Sequence, residues 1–156
     1  PNLLLRDNVK MHFTASAWVL NPSKDKVLML YHNIYQSWSW SGGHADGEGD
    51  LLSVAMKEVK EESGLVSLKP LSDSPISIEI LGVQPHYKKQ KYVSAHLHLN
   101  YTFLLHNTKE EKLKICPEEN SKVGWLSPDE AVRSSTEAWM KPIYKKLNQK
   151  MRKYLG

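Results

Sequence analysis

A single cysteine, Cys116, stands in the 156 residues of this chain, so no disulfide can close within it and no zinc site built on several cysteines can form. Long apolar runs are missing too. None approaches the roughly 20 residues that a membrane-spanning helix needs, and a soluble protein with no membrane partner is expected. No secretory signal pattern opens the sequence, which together with the scarce cysteine leads us to expect a reducing, cytoplasmic setting. Charge is not one-sided: 21 Lys and Arg face 17 Asp and Glu, a formal net charge of +4, and the basic residues are scattered among the acidic ones. That argues against DNA or RNA as a partner and for a small anionic ligand. The densest basic spot, Lys88, Lys89 and Lys91, reads as a solvated hairpin tip. Repeats, low-complexity tracts and linkers are absent, so residues 1–156 are expected to form one domain, long enough to bury a real core.

What is there is patterned. Met11, Phe13, Ala15, Ala17 and Val19 alternate with His12, Thr14, Ser16 and Trp18, the period of two of a strand with two unlike faces. Asn21, Pro22 and Ser23 give turn chemistry, and the run Val27 to Tyr31 reads as the returning partner of a hairpin. A short segment from Ser37 to Ser41 leads into Gly42-Gly43-His44-Ala45-Asp46-Gly47, read as a flexible turn. A helix is expected from about Asp50 to Ser63, closed by Gly64. Ile76 to Val83 and Tyr92 to Leu105 read as long strands, the second carrying Val93, Ala95, Leu97, Leu99, Tyr101 and Phe103 on one face. Ser127, Pro128 and Glu130 are an N-cap, a first-turn proline and a capping-box acid, so a helix should start there. A last helix, roughly Ala138 to Tyr154, sets Ile143, Leu147 and Met151 on a common stripe. This order of elements describes an α+β layered domain.

The chemistry concentrates in the first helix. Glu58, Glu61 and Glu62 stand at positions i, i+3 and i+4, and at about 100° per residue they fall within an arc of about 100° bordering the apolar side. Like charges so spaced repel, and a hard divalent cation would compensate them, since Mg²⁺ takes oxygen ligands from a few carboxylates together with substrate phosphates. The plain alternative is an acidic solvated face neutralised by Lys57 and Lys60. The glycines just upstream let backbone groups approach a metal or a phosphate.

Taken together, Gly43 to Leu65 resembles the Nudix box, whose pattern runs Gly, five residues, Glu, seven residues, then Arg-Glu-apolar-x-Glu-Glu-x-Gly-apolar. Gly43, Glu58, Val59, Glu61, Glu62, Gly64 and Leu65 match it, whereas Gly49 stands where the first Glu belongs and Lys57 where the Arg belongs. Trp125 to Ala131 resembles the strand and helix near the end of such domains. The resemblance implies the Nudix fold, an α/β/α sandwich around a mixed, mostly antiparallel sheet.

It further implies a pyrophosphatase-type hydrolase in which Mg²⁺ or Mn²⁺, held by the Gly43 carbonyl, Glu58, Glu61 and Glu62, serves cleavage of a diphosphate linkage in a nucleoside diphosphate derivative. Glu58 and Glu119 are the candidate bases for the attacking water; the segment around Glu119 also reads as an exposed acidic turn. Gly42, Gly43 and His44 are candidate substrate contacts. Trp38 and Trp40 share a face and could stack on a base or pack in the core. His96 and His98 share a strand face, with no third His or Cys at metal-ligand spacing. Because Gly49 and Lys57 depart from the box, a nucleotide-binding module without turnover is the second reading. An isopentenyl diphosphate isomerase is the third, set back by the sequence distance of Cys116 from the box. Monomer and homodimer both remain open.

Overall fold

The structure is a computed structural model and describes residues 2–156. Its centre is β1 (Met11–Leu20), whose alternation feeds two buried faces instead of one. Ala15, Ala17 and Val19 point to one side and Trp18 and Leu20 to the other, all buried. β1 pairs in parallel with β9 (His96–Asn107) over its whole length, from Met11↔Leu97 to Leu20↔His106. Every other pairing is antiparallel. β2 (Val27–His32) joins β1 at Leu20↔Val27 and carries β10 (Asn120–Leu126) and β3 (Ser37–Ser39), while β4 (Ser41–His44) lies on β1. β5 (Leu68–Pro70) and β6 (Ser77–Val83) both lie on β9. The sheet is therefore mixed and mostly antiparallel, as the resemblance implied.

Helices cover both faces. α1 (Leu51–Ser63) sets Val54, Ala55 and Val59 against Ala15, Ala17, Val19, Phe103 and Leu105. Two alanines on the facing strand let the helix lie close to the sheet. α2 (Pro128–Arg133) and α3 (Lys141–Leu155) set Ala131, Tyr144, Leu147 and Met151 against Trp18, Leu20, Met29 and Leu104. The result is an α/β/α sandwich. Among the described residues no helix is long and apolar enough to cross a membrane.

Local chemistry explains the boundaries. The Asp50 side chain accepts from the Ser53 amide at 3.2 Å and starts α1, and Gly64, at φ 78°, ends it in the left-handed conformation that glycine adopts without strain. Ser127 caps α2 by accepting from the Glu130 amide, with Pro128 in the first turn. α3 begins at Lys141, not at Ala138, because Pro142 suits only a first turn and fixes the start beside itself.

Three expectations need correction. The hairpin of β1 and β2 is joined only at its turn, since β4 takes the place beside β1 from Thr14↔His44 to Ala17↔Ser41. The strand expected from Tyr92 to Leu105 is broken. Its first part is β8 (Lys91–Val93), folded on β7 (His86–Lys88) through Lys89 and Gln90, both at positive φ, so Val93 and Ala95 leave the face that Leu97 to Phe103 keep. The basic cluster sits at that tip. Gly42 and Gly43, read as part of a flexible turn, are strand residues without positive φ, and the turn follows at Asp46 and Gly47.

Candidate active site

The strand position of the two glycines is what shapes the site. A side chain on Gly42 would begin 2.8 Å from the Ala15 carbonyl oxygen, and one on Gly43 would begin 2.3 Å from the Glu58 carboxyl carbon. Absence of a Cβ, not flexibility, is what matters: at Gly42 it admits the backbone of β1, and at Gly43 it leaves room for the Glu58 side chain in its present place. Gly43 thus faces α1, and the Glu58 carboxylate lies directly against its backbone.

The three glutamates differ in depth. Glu62 is 6% exposed, and its Oε1 accepts from Ser41 Oγ at 2.8 Å and from the Gly42 amide at 3.2 Å. Burial pushes its carboxyl up to about 8, against the pull of those two donors. Glu58 is partly buried, and burial, reinforced by the charges of Glu61 and Glu119, lifts it to about 7. Glu61 is exposed and has Lys57 Nζ 3.8 Å away, one turn back on the same helix. Lys57, which stands at the arginine position of the box, therefore makes a loose surface pair and leaves the two deeper acids without a basic partner of their own on the helix.

A distant loop completes the cluster. The buried Asn120 donates from Nδ2 to the Glu62 backbone carbonyl at 3.0 Å, and its Oδ1 accepts from the Cys116 amide at 3.2 Å. Glu119, the preceding residue, acts electrostatically on both Glu58 and Glu62, although its own side chain is exposed. Cys116 opens this loop, so its sequence distance from the box does not by itself remove it from the neighbourhood. Arg6 stands at the rim in a two-pronged pair with Asp46, at 2.8 and 2.7 Å. Ser41, Asn120 and Arg6 carried no local signal; only the sheet and the long loop bring them here.

Other candidates lie elsewhere. Trp38 and Trp40 pack with the core under α3, the Trp40 ring meeting Tyr144 edge-on at 5.5 Å, so the fold gives them to packing and does not place them beside the acids. His44 alternates with Gly43 and so points to the opposite face, where its ring lies 5.1 Å from that of His12. Gly49 has open space around it, and the adjacent Glu48 accepts from the Asp50 amide at 2.8 Å, helping to hold the start of α1.

A family model described as the NUDIX domain matches residues 10–147. The chain belongs to the Nudix hydrolase family. This is a family of pyrophosphatase-type hydrolases that generally need divalent cations. Solved Nudix structures share its fold. An Ap4A hydrolase of C. elegans in a binary complex is 18% identical, with a TM-score of 0.66 over 88% of this chain and 95% of that one. A NUDIX hydrolase from Clostridium perfringens is also 18% identical, with a TM-score of 0.65 over 90% and 96%. The dihydroneopterin triphosphate pyrophosphohydrolase of E. coli is 16% identical, with a TM-score of 0.62 over 86% and 92%. No curated protein matches the sequence.

Proposed function

We propose that this Nudix protein cleaves the diphosphate linkage of a small nucleoside diphosphate derivative with the help of Mg²⁺ or Mn²⁺. The observation that carries the reading is the crowding of Glu58 and Glu62 at one buried spot, with Glu61 and Glu119 adding charge and carboxyls pushed to about 7 and about 8. Such a set is relieved by a cation, and its donors are all oxygens: the carboxylates of Glu58, Glu61 and Glu62 and the carbonyl of Gly43. That chemistry fits a hard divalent ion. When bound, the ion would supply charge neutralisation and polarisation at a phosphoryl oxygen.

The chain's own residues have separable tasks. Ser41 and Gly42 hold one oxygen of Glu62, which fixes the carboxylate and leaves its other oxygen for a ligand. Gly43 lets Glu58 lie against the strand. Glu58, whose carboxyl is raised toward neutrality, or Glu119 takes the proton from the attacking water. The two products each keep phosphate. The fold neighbours named for Ap4A and for dihydroneopterin triphosphate share a polyphosphate and differ in what it carries, which supports a linkage-directed site whose substituent is read by other loops.

The test is a panel of nucleoside diphosphate derivatives incubated with purified protein and Mg²⁺, followed by release of phosphate-bearing products. Glu61→Gln and Glu62→Gln should each lower turnover by about 100-fold or more with circular dichroism unchanged. Unchanged rates in both would reject the assignment. The loose Lys57–Glu61 pair favours one second reading, a nucleotide-binding module, and binding of a panel member without any cleavage would establish it.

A further inference from the structure

On the sheet face turned away from α1, four of the seven histidines meet. Parallel register sets His12 opposite His98, and β4 brings His44 alongside Thr14, the next residue on that face. The ring of His12 lies 5.1 Å from His44, 5.0 Å from His98 and 4.9 Å from His96, and His44 lies 5.0 Å from His98. One ring nitrogen from each of His12, His44 and His98 can be chosen so that all lie within 4.8 Å of one another. No acid takes part.

Hydrogen bonding fixes how two of the rings are presented. His12 Nδ1 lies 3.0 Å from the Asn8 carbonyl oxygen; a carbonyl can only accept, so Nδ1 carries the proton and Nε2 carries a lone pair. That Nε2 is buried in a residue only 4% exposed, and it has no hydrogen-bond partner. A buried acceptor left open in this way is unusual and calls for an occupant. His96 is held in the same way by the Ser94 carbonyl at 2.8 Å, so its Nε2 accepts from His98 Nε2 at 3.1 Å. Backbone carbonyls that orient imidazoles through the far nitrogen are the usual support for histidine ligands. Behind the rings Thr14 donates to Asn100 at 2.9 Å and Asn100 to Ser16 at 2.8 Å, a polar ladder that stiffens the floor.

We propose that His12, His44 and His98 form a second metal site, for Zn²⁺, on the opposite side of the sheet from the carboxylates. Three imidazoles suit zinc and not magnesium, and they leave a fourth position open, with His96 beside it. The site joins β1, β4 and β9, and because His44 follows Gly43, a bound ion would pin the strand that Glu58 leans on. This inference does not rest on the catalytic reading.

Protein stripped with EDTA and dialysed is titrated with Zn²⁺ by calorimetry in excess Mg²⁺. We expect one Zn²⁺ per chain and a higher Tm with zinc than without. His44→Asn and His98→Asn, both at partly exposed positions, should weaken zinc binding at least about tenfold each and remove the Tm rise, while Glu58→Gln and Glu62→Gln bind zinc as the parent does. Co²⁺ in place of zinc gives a reading that needs no variant: visible bands of a low-coordinate, nitrogen-rich site. Failure of the parent protein to take up zinc, or uptake that both histidine variants leave unchanged, overturns the proposal.

Discussion

With only the Ser41 hydroxyl and the Gly42 amide as donors, the Glu62 carboxyl is pushed up to about 8 against an ordinary 4.5. Burial is the larger effect, so the folded protein prefers this group protonated. The unfolded chain gives up the proton near pH 4.5, and between there and about pH 8 it binds fewer protons than the folded chain. The contribution of Glu62 to the stability of the cation-free protein should therefore be greatest below this window and fall as pH rises through it, and the fall should show above about pH 6.5, where the buried His44 and His98 no longer oppose it. Glu62→Gln, which keeps an oxygen for Ser41 and Gly42, should flatten that fall, and so should added Mg²⁺. Thermal unfolding in EDTA at about pH 7 and 9, compared between parent and Glu62→Gln, measures it; a Tm that falls no more steeply in the parent than in the variant would contradict the electrostatics. At this scale the sequence was informative. Spacing named Glu58, Glu61 and Glu62, but their unequal depth depends on Ser41, Gly42 and Asn120, which no helical period contains.

Elements were legible where their ends carry their own chemistry. Asp50 and Gly64 bracket α1, and Ser127 with Pro128 opens α2, each by contacts within a few residues. Asp50→Ala should lower the stability measured by urea unfolding, because the Ser53 amide loses its acceptor while the acids further along the helix keep their surroundings. Catalytic turnover at a temperature well below the Tm should change little. Partnerships between elements were less legible. A period of two says that a strand exists, not which strand lies beside it. The β1–β2 hairpin yields to β4 because Gly42 allows an approach to the Ala15–Ser16 backbone that a Cβ would block, and nothing near Val27 announces that.

Across the whole molecule, the layer under α3 is tied by one buried amide. Asn148 Oδ1 accepts from Trp18 Nε1 at 3.2 Å, and its Nδ2 donates to the Pro128 carbonyl at 2.7 Å, joining α3 to the central strand and to the start of α2. Asn148→Ala would strand the Trp18 donor in the core and should cost about 2 kcal/mol in equilibrium unfolding, with the carboxylate site, on the other side of the sheet, retaining its chemistry. A loss of turnover greater than the loss of folded protein would show that the two layers are coupled more tightly than the contacts imply.

The sequence by itself determined the glutamate triad, the caps that bound its helix, the apolar periods of the strands and the family to which they belong, because each is written in residues close enough to act on one another locally. Tertiary structure alone decided what comes from far along the chain. It carries Asn120 and Glu119 to the helix, buries Glu62 more deeply than Glu61, sends Trp38 and Trp40 to the opposite layer, and lays β1 parallel to β9 so that His12 and His98 become neighbours. Pairing between strands is set by the collective burial of two sheet faces, which no short window of sequence can express.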